Sequence, residues 1–311
     1  MKGEPRPLHE AVRHTTLVES ERLSRRLKAR VALVSETFQH TGSFKFRAAY
    51  NLASKVPQEL IVTASSGNFG QALAYACGLL GKRAIVVMPA TAAAVKIEAV
   101  RDYGATVELV DVNTRSRAER VAELAEAFPL AYVASAYDDP FVIEGNASLG
   151  TEIANLDREL DCVLAPVGGG GLSAGLIQGL RQAGSRVPVL GAEPLLANDA
   201  ARSLQLGRIV ANACEPQSLA DGARTLSLGR CNWEILRKEM AGIVEIPEWA
   251  IAEGLRLLFE LANLKAEPTA ALSIGALLAE PERFRNRSVC CVISGGNVDP
   301  GVYQSLLARA G

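Results

Sequence analysis

Short apolar runs alternate with amphipathic stretches along almost the whole chain, and this alternation limits the possible folds more than any other feature. Apolar runs at residues 31–35, 60–64, 83–88, 106–110, 162–166, 187–193, 242–246 and 288–294 have the length and β-branched content of buried strands. Between them, 69–80, 93–103, 115–128, 172–183, 248–261 and 298–308 show helical spacing. Pro247 fits the first helical position of the segment after it, where its missing N–H is harmless. Strand–helix alternation implies parallel sheet covered by helices on both faces. The fold class expected is therefore α/β. Two groups of strands, with a break near Tyr137-Asp138-Asp139-Pro140, imply two open sheets with a ligand cleft between them.

The chain has 311 residues, enough for one large or two medium domains. Its net charge of −1 gives no global field favouring nucleic acid or an anionic membrane, so neither partner is expected. The densest basic stretch, Arg22, Arg25, Arg26, Lys28 and Arg30, reads as a solvated face. The first residues, Met1-Lys2-Gly3-Glu4-Pro5-Arg6-Pro7, lack the apolar core of a signal peptide, and no apolar run nears the ~20 residues that span a bilayer. Six cysteines without CxxC spacing read as reduced residues, so the expected location is cytoplasmic. The three histidines, His9, His14 and His40, all precede residue 45, which gives little support to histidine triads or multi-histidine zinc sites.

Four loops and one lysine carry the chemistry. Lys45 stands just behind the turn Thr41-Gly42-Ser43, in an otherwise apolar, helical stretch. A lysine placed there loses hydration, and its neutral amine becomes available as a nucleophile. Ser65-Ser66-Gly67-Asn68 follows a strand and opens a helix, a backbone arrangement that receives carboxylate or phosphate, although plain helix capping explains it as well. Gly168, Gly169, Gly170 and Gly171, again between strand and helix, expose N–H groups with no Cβ in the way. Their spacing is not that of a dinucleotide fingerprint and suits a single phosphate better than a pyrophosphate. Ser294-Gly295-Gly296-Asn297 ends the last strand, where Ser294 can offer a hydrogen bond into a cleft or simply begin a turn. Glu193, the Ala197 carbonyl and Asp199 together offer oxygen ligands suited to Mg2+ or another divalent cation, or else a strand end and a helix cap.

Taken together, the motifs resemble the fold-type II pyridoxal phosphate (PLP) enzymes, in particular the serine/threonine dehydratase and serine racemase family. The matching segments are Ser43-Phe44-Lys45-Phe46-Arg47, Ser65-Ser66-Gly67-Asn68, the four glycines and Ser294-Gly295-Gly296-Asn297. Leu219-Ala220-Asp221-Gly222, Asn232-Trp233 and Glu267-Pro268-Thr269-Ala270 also match, all in the family's order. The resemblance implies a tryptophan synthase β-like fold with PLP in the cleft. Residues 1–58 and 138–311 would form a discontinuous cofactor-binding domain, and 59–137 a smaller mobile one. It further implies that Lys45 carries PLP on its amine and Phe44 lies beside the cofactor. Asn68 would bond the 3′-oxygen, the four glycines with Leu172 would cradle the phosphate, Glu267 would line the pocket and Ser294 would meet the ring nitrogen. Ser65, Ser66, Gly67 and Asn68 would take the substrate carboxylate, and Glu193, Ala197 and Asp199 would form a divalent-cation site. A homodimer is also implied.

The activity implied is an ammonia-lyase (dehydratase) that converts a β-hydroxy amino acid such as L-threonine or L-serine to a 2-oxo acid and ammonia. Lys45 and Ser66 are its catalytic residues. The alternative is an amino-acid racemase using those same two groups as opposed bases. A β-replacement synthase fits less well, because Phe46 stands where such enzymes usually have aspartate. A binding protein without catalysis, or an NAD-dependent oxidoreductase, would have no need of Lys45 with the serine pair. Phe69, Ala48 and Thr16 depart from the family's usual residues, and Glu144-Gly145-Asn146-Ala147-Ser148-Leu149-Gly150 replaces a Gly-Gln-Gly-Thr pattern. That last change is expected to bear on the substrate. With so short a stretch after Ser294, an effector-binding C-terminal domain is not expected.

Overall fold

The apolar runs pair into two separate sheets in a computed structural model that describes residues 5–65, 67–92 and 94–308. In chain order the strands are β1 (Thr16–Glu19), β2 (Arg30–Ser35), β3 (Leu60–Ala64), β4 (Arg83–Pro89), β5 (Thr106–Val110), β6 (Tyr132–Ala134), β7 (Cys162–Pro166), β8 (Val189–Pro194), β9 (Met240–Ile246) and β10 (Ser288–Ile293). A six-stranded sheet runs β1-β2-β10-β7-β8-β9, and a four-stranded sheet runs β5-β4-β3-β6. Every pairing is parallel except that of β1 with β2. β7, β8 and all of β10 after its first residue are buried, as parallel strands covered on both faces must be.

Two strands escape the sequence pattern. β1 is a four-residue edge strand whose Leu17 and Glu19 face solvent, and β6 has only three residues. Neither is long enough to give a period. The helix Pro268–Ala279 is buried from Pro268 to Leu277, so it shows no polar face and its period is faint. By contrast, the helix Arg117–Ala127 is exposed and closes with a capping box between Ser116 and Glu119, which makes it plain in the sequence.

Strand order places the loops. β10 is last in the chain but lies between β2 and β7. Its carboxyl end therefore delivers Ser294 beside the glycine run that leaves β7. In the other sheet, the carboxyl end of β3 delivers Ser65. The helix Lys45–Lys55 ties the two halves together, since Phe46, Tyr50 and Leu52 share a core with Phe69 and Leu73 of helix Asn68–Leu79. Among the described residues no helix is long and apolar enough to cross a membrane.

The segment 144–150 lies within the helix Pro140–Ala154, not in a loop. Pro140 takes the first helical position and Asp139 caps it by accepting from the Phe141 N–H at 2.8 Å. A Cβ on Gly145 would lie 2.5 Å from the Arg47 carbonyl oxygen, so glycine lets this helix lie against helix Lys45–Lys55. Asn146 is buried and donates to the Gly171 carbonyl at 3.0 Å. The segment thus props the glycine loop from behind.

Candidate active site

The turn before Lys45 is held by the last strand's exit loop. Thr41 and Gly42 both have left-handed backbone (φ 59° and 72°). A Cβ on Gly42 would meet Asn297 Oδ1 at 2.5 Å, so glycine is required there twice over. The Phe44 N–H donates to the Ser294 carbonyl and the Gly296 N–H to the Gly42 carbonyl, each at 3.0 Å. Lys45 then starts its helix. Its amine donates to the Ala136 carbonyl at 2.6 Å and lies 5.0 Å from the Phe44 ring centre and 5.7 Å from that of Phe69. Burial lowers the amine's pKa to about 8, opposed by the Glu267 carboxylate. The desolvation expected from sequence is thus present.

Two residues on, the fully buried Arg47 guanidinium anchors the same helix. It bonds Glu36 through Nε (2.7 Å) and Nη2 (2.9 Å), Glu152 (2.6 Å), Ser148 (3.1 Å) and the Arg13 carbonyl (3.2 Å). Such a buried ion cluster does more to fix geometry than to add stability.

The glycine run leaves no room for side chains. Gly170 has φ 91° and caps helix Gly171–Gln182, and its missing Cβ faces Leu236 and Leu228. A Cβ on Gly169 would enter the Tyr137 ring, and one on Gly168 would stand 3.0 Å from the Gly222 carbonyl oxygen. Asn232 donates to the Gly169 carbonyl at 2.6 Å and to the Tyr137 carbonyl at 3.0 Å, which locks the loop to the segment above it. The result is a bare backbone cradle at a helix N-terminus, with Leu172 in the first turn.

Opposite stands the loop after β3. The Ser65 hydroxyl accepts from the Gly67 N–H (3.3 Å) and the Gly70 N–H (3.0 Å), so Ser65 shapes the loop. Nothing lies within 4 Å of where a Gly67 Cβ would be, which leaves open space in front of the backbone. The Asn68 amide donates to both Glu267 oxygens and accepts from Asn297 at 2.9 Å. Ser66 lies outside the described residues. Glu267 is buried, and burial first, then the Asp221 carboxylate, raise its pKa to about 7 against the opposing pull of Asn68, Lys96 and Lys45. The Ser294 hydroxyl is buried with no partner at all. An orphaned hydroxyl at a strand end, near a bare anion cradle and a desolvated amine, fits a cofactor carrying a phosphate, a ring nitrogen and an aldehyde.

Glu193, Ala197 and Asp199 do come together at the end of β8. Glu193 accepts from the Ala200 and Ala201 N–H groups, both at 2.8 Å, and so caps the helix Asp199–Leu206. Asp199 Oδ1 accepts from Asn212 at 2.8 Å, while Asp199 Oδ2 is buried without a partner. Burial raises Glu193 well above the usual carboxylate range and Asp199 to about 6. Among the described residues no three histidine, cysteine or acidic side chains form a metal-binding group, so side chains alone do not make a metal centre.

Sequence reasoning gave no role to Tyr137, Asn297 or Asn232. Asn297 and Asn232 lie in quoted motifs, and their signal was a lone amide beside glycines. Tyr137 has no local signal, because its role comes from the distant loop it covers.

Fold and site define an α/β protein with a bare glycine cradle, a desolvated lysine and an unpartnered buried serine between two largely parallel sheets. Residues 8–295 match the family model described as pyridoxal-phosphate dependent enzyme, and the chain belongs to that family. It is 35% identical over 297 residues to an L-threo-3-hydroxyaspartate ammonia-lyase of Pseudomonas sp, covering 94% of this chain and 92% of that protein. It is 34% identical to the serine racemase of Homo sapiens, covering 94% and 88%. Among solved structures, a threonine deaminase of T.th. superposes with a TM-score of 0.89 at 38% identity, over 94% of this chain and 95% of that one. The chain is thus a fold-type II PLP enzyme of the ammonia-lyase and racemase group, and its cofactor is PLP.

Proposed function

We propose that the chain is an ammonia-lyase that removes the β-hydroxyl and then the amine of a β-hydroxy amino acid, giving a 2-oxo acid and ammonia. The observation that carries this reading is the Lys45 amine, desolvated by burial to a pKa of about 8, donating to the Ala136 carbonyl and lying over the Phe44 and Phe69 rings. Bound PLP supplies an electron sink for the pair left behind when the substrate Cα loses its proton. The backbone N–H groups of the loop after β3, with Ser65, Gly67 and Asn68, hold the substrate carboxylate and orient Cα. Lys45 takes the Cα proton as general base. Gly168, Gly169, Gly170, Gly171 and Leu172 would hold the cofactor phosphate, with Phe44 beside the group. Ser294 would offer the ring nitrogen a hydroxyl, which does not enforce protonation as a carboxylate would. The group would then supply a weaker electron sink, suited to loss of the β-hydroxyl over transamination. Glu267 keeps Asn68 in place at the cofactor's edge. Serine, threonine and 3-hydroxyaspartate are the candidate substrates, in line with the names of the relatives.

The test is release of 2-oxo acid from a panel of β-hydroxy amino acids by the PLP-loaded protein. Release that disappears in Lys45→Ala supports the reading, and its absence across the panel sinks it. Racemisation is the second reading, since the family resemblance implies Ser66 as the opposed base. Chiral analysis of residual serine, with Ser66→Ala as control, separates the two.

Glu193, the Ala197 carbonyl and Asp199 are proposed to hold a divalent cation, because the unpartnered Asp199 oxygen and two buried carboxylates leave charge to be offset. Mg2+ should raise the melting temperature of wild type and not of Asp199→Asn; equal melting with Mg2+ and with EDTA would reject the site. Residues 59–137 are proposed to move as a unit over the cleft, and the protein to act as a cytoplasmic homodimer.

A further inference from the structure

Lys96 projects from the helix Ala94–Asp102, on the four-stranded-sheet side, and its ammonium pairs with Asp221 Oδ2 at 3.1 Å. Asp221 opens the turn Asp221–Ala223, whose Gly222 carbonyl walls the glycine cradle. The pair therefore runs from one sheet's helices to the rim of the cofactor site in the other. Both charges act on Glu267: Asp221 pushes its proton affinity up, and Lys96 pulls it down, as Lys45 does. Glu267 in turn holds Asn68, the last residue of the proposed carboxylate-binding loop. Lys96 thus stands at the rim of the cleft, where its charge acts on the carboxyl that holds Asn68. The pair is only partly sheltered, with side-chain exposures of 24% and 44%, so it is weak and its partners are free to exchange.

We propose that Lys96 is a specificity-determining residue that leaves Asp221 to bind a second carboxylate on the substrate, selecting a β-hydroxy amino acid whose β-carbon carries that carboxylate. The inference rests on the lyase reading for its substrate class. With the α-carboxylate on the loop after β3, the substrate's side chain lies between that loop and the Asp221 turn. A neutral side chain offers Lys96 no negative charge to compete with Asp221. A carboxylate offers it the same kind of oxygen as Asp221, and Asp221, 44% exposed, turns back to water at little cost. The extra negative charge arrives beside Glu267, whose carboxyl, already raised to about 7, takes up a proton readily.

The test compares 3-hydroxyaspartate with serine on the PLP-loaded enzyme and on Lys96→Met and Lys96→Arg. The ratio of kcat/KM for the acidic over the neutral substrate should fall about 10- to 100-fold in Lys96→Met, the scale of one lost charge-assisted contact, and recover in part in Lys96→Arg. An independent arm titrates succinate and propionate against the visible absorption of the bound cofactor. Wild type should favour the dicarboxylate, and Lys96→Met should lose that preference. Equal losses for both substrates, or an unchanged succinate preference, would overturn the assignment. Should wild type turn over none of the amino acids, the lyase reading fails, and the succinate arm still decides the role of Lys96.

Discussion

Asn68 donates its amide to both carboxylate oxygens of Glu267, at 3.1 and 2.9 Å, across 199 residues of sequence. This contact joins the helix that follows β3 to the cap of helix Pro268–Ala279, and so fixes the Asn68 amide from the opposite wall of the cleft.

Glu267 gives a pH signature with a defined sign. Its pKa rises from 4.5 to about 7 because burial disfavours its charge. The folded state therefore keeps a proton that the unfolded chain releases between these values. The stabilisation is complete below the unfolded value and is lost as pH climbs through about 7, on the order of 3 kcal/mol for this group. Thermal melts from pH 5 to 8 should show the decline in wild type and a flatter profile in Glu267→Gln.

Gly170 carries a left-handed backbone and faces Leu236 and Leu228. Gly170→Ala should weaken PLP binding by about 10-fold or more, since a Cβ there costs about 1–2 kcal/mol of backbone strain before any clash. Fluorescence titration of the cofactor-free protein measures this directly. Unchanged affinity would mean that the cradle tolerates side chains.

Arg47 anchors the Lys45 helix through two buried or half-buried carboxylates. Arg47→Met leaves the wholly buried Glu36 unpaired and should destabilise the fold by about 3–5 kcal/mol in denaturant unfolding. The double variant with Glu36→Gln should lose less than the sum of the two singles, because they share one interaction.

The loops were legible because each stands at a strand end, where few residue types serve. Four glycines, a Ser-Ser-Gly-Asn turn and a lysine behind Thr-Gly-Ser are each open to a plain structural reading alone, and gain their meaning from occurring together in order. The strands between them were legible because β2, β7 and β10 are continuous apolar runs. What stayed hidden depends on contacts distant in sequence. The pairing of Asn68 with Glu267, the cover of Tyr137 over Gly169 and the reach of Lys96 to Asp221 each join residues tens to hundreds of positions apart. The 144–150 segment, whose change is expected to bear on the substrate, makes its contacts with Arg47 and Gly171 as part of a helix, and no local pattern announces them.

The central claim is that Lys45 holds the cofactor, and borohydride reduction of the purified PLP-loaded protein followed by peptide mapping tests it most directly. The cofactor should be fixed on the peptide containing Lys45, with loss of the visible absorption band, and Lys45→Ala should retain no covalent label. Label on another lysine, or a reduced wild type with none, would contradict the account.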